Sequence, residues 1–466
     1  MTSRPHSSIA ETLARRSGEA MELNDRYLNP QLGRIVRTLG FDRVWTRGEG
    51  AYLFDAEGTR YLDLLSGYGT FAVGRNHPDV IEALRELLDA HSPNLPQLGV
   101  SVLAGALAEQ LVARAPSRIV AMVPANTGTE AVEAAIKLAR ASTGRPRIIY
   151  ASHAFHGLTL GALSLNGDEQ FREGFGPLLP GCDRVPFGDL PALRRELARG
   201  DVAAFIVEPV QGKGVNLPPD GYLAGAQQAC REHDSLFVCD EVQTGLGRTG
   251  RFFALEHWGL DPDMICVAKA LSGGFVPIGG VLVSAAVRAK VFDGMERGVR
   301  HGSTFGTNDM AAAAGLATLA VIEREQLVAR AAALGGLLLE LTRPLVERYE
   351  IVRDVRGLGL MWAIELGTPA RLRRRAVWQL VERAQTGLAA QLIVVPLFQR
   401  HQIFCQVAGH RMNVVKALPA LVVDEVEIRR FAAALEDVVA RADRMGGAVG
   451  RLGWDLARGS ARALRH

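Results

Sequence analysis

The chain has 466 residues, 48% of them hydrophobic and 22% charged, with a formal net charge of +3 at pH 7. That length supports a large core and more than one domain. The balanced charge, with no long basic stripe carrying interleaved aromatics, argues against a nucleic-acid binder, and no apolar run approaches the roughly 20 residues of a membrane helix. Five cysteines lie dispersed at 182, 230, 239, 266 and 405 with no CxxC pair. An odd, scattered set is neither a disulfide framework nor a metal-ligand set, and it points to a reducing cytoplasm.

Residues 1–50 read as a polar arm with helical pieces. The first twenty carry Arg4, Arg15 and Arg16 but no apolar stretch of a secretory leader, and Glu11 and Glu19 weigh against a transit peptide. Residues 51–65 alternate about Glu57-Gly58 as a hairpin does, so 1–77 is expected to supply an arm and part of a smaller domain. From 78 to 330, apolar runs of strand length at 119–123, 147–150, 202–207, 236–240, 264–268 and 280–283 alternate with helical patterns. That rhythm predicts an α/β fold whose large domain has a mainly parallel sheet flanked by helices. Beyond 330 it changes. A helix over 327–349, short strands at 351–355, 359–365 and 413–417, and an amphipathic helix over 425–445 predict a smaller α+β domain at 331–445. The tail 446–466, with Gly446, Gly447 and Gly450, is expected to be mobile.

Several stretches carry chemistry. Asn126-Thr127-Gly128-Thr129-Glu130 precedes a helical pattern at 132–141. Glycine and hydroxyl residues at a helix start leave N–H groups free for an anion such as phosphate, although an ordinary N-cap accounts for the same residues. Phe155-His156-Gly157 follows a strand, where an aromatic can stack on a flat ring or simply pack. Residues 245–250 spell GxGxxG, with Asp261 and Asp263 downstream. Four residues separate the first glycine from the strand and the helical pattern after it is short, so a dinucleotide site is disfavoured. A near-match at Gly67-Tyr68-Gly69 has no helix directly after it. The most informative pair is Asp240, closing the run Leu236-Phe237-Val238-Cys239, and Lys269, closing Met264-Ile265-Cys266-Val267-Ala268. An acid and an amine at the ends of two strands suit an aldehyde cofactor with a pyridine ring. The amine holds the aldehyde as a Schiff base, and the acid keeps the ring nitrogen protonated.

In this order and spacing, the segments 126–140, 154–157, 208–212, 240–248, 268–271 and 301–306 resemble the class III (ornithine-type) PLP-dependent aminotransferases of fold type I, over about 52–438. Within that family the putrescine (diamine) aminotransferases are nearest, on Leu178-Leu179-Pro180-Gly181, Val185-Pro186-Phe187-Gly188 and Pro218-Pro219-Asp220-Gly221-Tyr222. The resemblance implies pyridoxal 5'-phosphate held by Lys269, which then shuttles the proton, with Asp240 paired to the pyridinium nitrogen. It places Phe155 and Val242 on the two ring faces, His156 beside Phe155, Gln243 at the ring hydroxyl, Gly128 and Thr129 at the phosphate, and Glu208 as an acid behind the cofactor. It also sends Thr304 to the phosphate of a neighbouring subunit, which implies a homodimer with shared active sites.

Two positions depart from the family pattern, and both are candidate substrate residues. Lys416 stands where members acting on 2-oxoglutarate carry an arginine for its α-carboxylate, and Lys213 where they carry the glutamate that masks that arginine. A lysine is a point charge rather than a bidentate fork, and two lysines form no masking ion pair with each other. A second lysine is therefore expected to disfavour diamines relative to apolar or anionic chains. The expected activity moves an amino group between a primary amine or ω-amino compound and an oxo-acid or aldehyde. An aminomutase, decarboxylase or racemase would use the same cofactor residues. A dinucleotide-binding oxidoreductase or a non-catalytic protein is the reading of a different class.

Overall fold

The structure, a computed structural model, describes residues 8–95, 98–384, 387–409 and 412–444. The expected tail at 446–466 lies outside the described residues. In chain order the strands are β1 (Trp45–Glu49), β2 (Tyr52–Asp55), β3 (Arg60–Asp63), β4 (Ile119–Ala125), β5 (Arg147–Ala151), β6 (Cys182–Val185), β7 (Val202–Val207), β8 (Leu236–Asp240), β9 (Met264–Val267), β10 (Gly279–Ser284), β11 (Val352–Leu358), β12 (Met361–Leu366), β13 (Ile403–Phe404), β14 (Gln406–Val407) and β15 (Val414–Ala417).

Seven strands form the central sheet in the order β4-β10-β9-β8-β7-β5-β6. Those from β6 through β9 are parallel neighbours. Strands β5, β7 and β9 are buried along their whole length. Helices cover both faces of such a sheet, so these strands read as unbroken apolar runs rather than alternating ones. The α/β architecture with a mainly parallel sheet expected from the sequence is present, and one strand, β10, runs antiparallel to both β9 and β4. The link from β9 to β10 holds only the single turn Lys269–Ser272. A parallel return needs a crossover of a dozen or more residues, usually a helix, and that link has none.

Two smaller sheets involve the chain ends, in the orders β1-β2-β3-β13 and β11-β12-β15-β14. β13 pairs in parallel with β3, Ile403 opposite Leu62, so the predicted N-terminal hairpin joins a segment from the far end of the chain. The helix expected over 327–349 is broken into Leu327–Thr342 and Leu345–Arg348 around Pro344, because proline interrupts the helical hydrogen-bond ladder. Helices Leu372–Ala384 and Gln391–His401 and strand β6 were not anticipated from the sequence. Among the described residues, no helix is long and apolar enough to cross a membrane.

The GxGxxG stretch proves to be a packing device. A Cβ on Gly250 would lie 2.8 Å from the Ala332 Cβ, and one on Gly359 would lie 2.3 Å from the Thr249 carbonyl carbon. These glycines let the loop touch the helix Leu327–Thr342 and the β11–β12 turn. Between them Arg248 is buried and donates from Nη1 to the carbonyls of Leu360 and Pro419. Burial alone pulls its guanidinium down to about 9.

Candidate active site

β8 and β9 lie side by side in parallel with Asp240 opposite Cys266, so both strands end at the same edge of the sheet. Lys269 follows three residues later in the left-handed region, φ 44°. That conformation costs a non-glycine residue about 1 kcal/mol or more. The loops after β4, β5 and β7 reach the same edge, where open α/β sheets gather their ligands.

Asp240 is buried at this edge. Its Oδ1 accepts from the Val242 N–H at 3.0 Å, and its Oδ2 lies 2.7 Å from His156 Nδ1. Burial pushes the His156 imidazole down, but the bond to Asp240 and the charges of Asp240 and Glu208 outweigh it, and its pKa rises. His156 Nε2 is buried with no hydrogen-bond partner. Glu208, also buried, accepts from the Phe155 N–H at 3.1 Å and the Gly212 N–H at 2.8 Å. It thereby stitches two loops together. Burial raises its carboxyl, Asp240 adds to this, and His156 opposes it. Burial lowers the Lys269 amine, against the upward pull of Asp240 and Glu208.

The helix Gly128–Thr143 begins at this edge, capped by Thr127, whose hydroxyl accepts from the Glu130 N–H. It starts four residues before the helical pattern read from sequence. A Cβ on Gly128 would lie 2.7 Å from Val242 Cγ1, so glycine is needed for the helix start to approach β8. Thr129 Oγ1 sits 2.7 Å from Thr159 Oγ1 and accepts from the Thr159 N–H at 3.2 Å. Phe155 meets the edge of Phe171, ring centroids 5.6 Å apart. Gln243 donates to the Tyr68 carbonyl at 3.1 Å. Thr304 is exposed, on a loop held to the helix start by Asn126 Nδ2 donating to Ser303 Oγ at 2.7 Å.

The two departing lysines differ from each other. Lys416, on β15, is buried and donates to the Gly212 carbonyl at 2.7 Å and to Gln243 Oε1 at 3.3 Å. Burial, aided by the charges of Lys269, Arg248 and Lys213 and opposed by Glu208, takes its amine down to about 7. Lys213 does form an ion pair, with Asp168 rather than with the other lysine, Nζ to Oδ2 2.5 Å. Its Nζ also lies 4.4 Å from the centroid of the Phe171 ring. Asp168 was not singled out from sequence, because no motif links a loop after β5 to one after β7.

The arrangement fits pyridoxal 5'-phosphate on its own terms. It combines a buried acid for a ring nitrogen, a depressed amine, a helix start that glycine lets come close, and hydroxyls beside that start. The family model for aminotransferase class III matches residues 37–439. The chain is 36% identical over 462 residues to aminotransferase PigE of a Serratia species, covering 92% of this chain and 54% of that protein. It therefore spans about half the length of that relative. It is 41% identical over 370 residues to putrescine aminotransferase of Pectobacterium atrosepticum, covering 76% of this chain and 78% of that protein. An amine transaminase from an uncultivated Pseudomonas species, in its PLP-bound form, superimposes with a TM-score of 0.75 at 30% identity, covering 86% of this chain and 95% of that one.

The burial of Lys416 has a consequence for stability. Its folded pKa of about 7 lies below the ordinary 10.5. Above 10.5 the amine is neutral in both states. As pH falls from there, the unfolded chain takes up a proton that the folded chain refuses, so stability declines until about 7 and then levels. Urea unfolding of cofactor-free protein should show Lys416→Met gaining stability over wild type progressively from pH 10 down to pH 7. A difference independent of pH would contradict the burial argument.

Proposed function

The chain belongs to the class III aminotransferases, and we propose that it transfers an amino group between a primary amine or ω-amino compound and an oxo-acid or aldehyde, with pyridoxal 5'-phosphate as cofactor. The observation carrying this reading is Asp240 and Lys269 at the ends of adjacent parallel strands, with His156 bonded to the acid. The 41% identity to a putrescine aminotransferase supports an amine, rather than only an α-amino acid, as donor.

When bound, the cofactor supplies an aldehyde that condenses with amines and a pyridine ring that takes up negative charge. Each residue then has a task. Lys269, its amine lowered by burial, would bond the aldehyde through Nζ and afterwards hold and return the migrating proton there. Asp240 stabilises a positive charge at the ring nitrogen, and His156 fixes the orientation of its carboxylate. Gly128, Thr129 and the N–H groups of their helix receive the phosphate. Phe155 and Val242 bound the ring faces and exclude water, while Glu208 holds the Phe155 loop in place. Gln243, oriented by Tyr68 and Lys416, takes the ring hydroxyl. Donor and acceptor react in turn at one pocket, which gives ping-pong kinetics.

A homodimer follows from Thr304 in the shared-site role. Its support is exposed apolar surface near that loop: Val100 lines a groove that runs past Gly306 and Asn308, and Val102 and Phe305 are exposed close by in the chain. Surface of this kind marks an interface. Five free cysteines support a reducing cytoplasm. The pairing of β13 with β3 supports assigning 1–77 and 331–445 to one smaller domain beside a large domain at 78–330.

Loaded protein mixed with an amine and pyruvate or 2-oxoglutarate should yield alanine or glutamate. Release of carbon dioxide or a racemised product without a new amino acid would move the assignment to another PLP reaction. Asp240→Asn preserves shape and removes charge, so turnover should fall roughly 10²-fold or more. A fall of under about threefold would mean Asp240 is not the ring partner.

Thr304→Ala removes one hydrogen bond to a charged group, worth roughly 1.5–3 kcal/mol. Cofactor should then dissociate more readily on dilution, together with dimer separation in sedimentation. A stable monomer with tightly held cofactor would contradict the shared site.

A further inference from the structure

The Lys213–Asp168 pair stands beside the residues assigned to the cofactor. The turn carrying Asp168 is docked onto the Phe155 loop, for Gly167 donates its N–H to the Ala154 carbonyl at 2.9 Å. A Cβ on Gly167 would lie 2.3 Å from the His153 nitrogen, so the two loops are in backbone contact. The carboxylate of Asp168 divides its work. Oδ1 accepts from the Gln170 N–H at 3.1 Å and caps the short helix Glu169–Arg172, while Oδ2 meets Lys213. That helix carries Phe171, which packs its edge against Phe155 and offers its face to the Lys213 ammonium. Lys213 in turn follows Gly212, whose N–H is bonded to Glu208 and whose carbonyl accepts from Lys416. The Lys213 side chain is only 12% exposed, so its charge meets the carboxylate and the ring with little water between them. Charges so placed interact far more strongly than on an open surface.

We propose that Lys213 borders the substrate pocket and that Asp168 is a specificity-determining residue there: by holding the Lys213 ammonium against Phe171, beside Phe155, it keeps that side electrically balanced, so the site selects amines whose remote end is apolar or uncharged over those ending in a carboxylate. The inference rests on the aminotransferase reading. A free Lys213 would present a cation to the remote end of the substrate. Asp168 removes that attraction and, equally, the repulsion a remote ammonium would feel.

The test uses the loaded, full-length protein. The donor half-reaction, followed by the cofactor's visible absorbance, is compared for pentylamine and 5-aminopentanoate, which differ at the remote end. Equilibrium binding of pentanoate, which cannot react, is measured alongside. Asp168→Asn keeps the helix cap, since asparagine caps as well as aspartate, but leaves the Lys213 charge unanswered. The efficiency ratio of 5-aminopentanoate over pentylamine, and the affinity for pentanoate, should both rise on the order of tenfold. Lys213→Met, which removes the cation and keeps the carboxylate, should move both the opposite way. The double variant Asp168→Asn/Lys213→Met should return the ratio toward wild type. Normal cofactor loading with a ratio and affinity that shift less than about twofold in either single variant overturns the role of Asp168 alone. A wild-type protein that takes up no cofactor overturns the aminotransferase reading beneath it.

Discussion

The parallel pairing of β8 with β9 is the constraint on which the site depends. It sets Asp240 level with Cys266, and Lys269 comes only three residues after Cys266. An acid and an amine are thereby delivered to one sheet edge without any long loop. The turn is tight enough to hold Lys269 at positive φ, a strain that the surrounding core must sustain. The antiparallel β10 belongs to the same constraint. It returns along β9 with only the single turn Lys269–Ser272 between them, and β4 pairs on its far side.

Around that pair the protein buries an unusual amount of charge and satisfies nearly all of it locally. Glu208 accepts two backbone N–H groups, His156 answers Asp240, Asp168 answers Lys213, and Lys416 is held by a carbonyl and an amide oxygen. A buried charge without such partners would cost several kcal/mol. Lys416 has only neutral acceptors, and so its amine is pulled toward neutrality, whereas Lys213 has a carboxylate. The two lysines are thus unlike in kind: Lys416 donates to Gln243, and Lys213 is paired with Asp168.

Much of this was legible in the sequence. The continuous apolar runs of β5, β7, β8 and β9 announced buried parallel strands, and the residues following two of those runs, Asp240 and Lys269, come to one sheet edge. The Gly128 region was readable as an anion-binding helix start, although the strength of the requirement for glycine, its contact with Val242, needed the fold. Other features were hidden for physical reasons. The direction of β10 depends on the absence of a crossover, which is a negative signal. Helix Leu372–Ala384 is rich in arginine, and Gln391–His401 is apolar nearly all round with an internal proline, so neither shows a clean amphipathic period. The Asp168 partner of Lys213 comes from a different loop, and no spacing rule connects the two.

The central claim is that Lys269, rather than Lys416 or Lys213, is the lysine that bonds the cofactor. Borohydride reduction of the loaded protein followed by peptide mapping tests it directly. The account predicts cofactor-derived mass on the peptide containing Lys269 and none on those containing Lys416 or Lys213. Label on Lys416, or no label on any lysine, would contradict it.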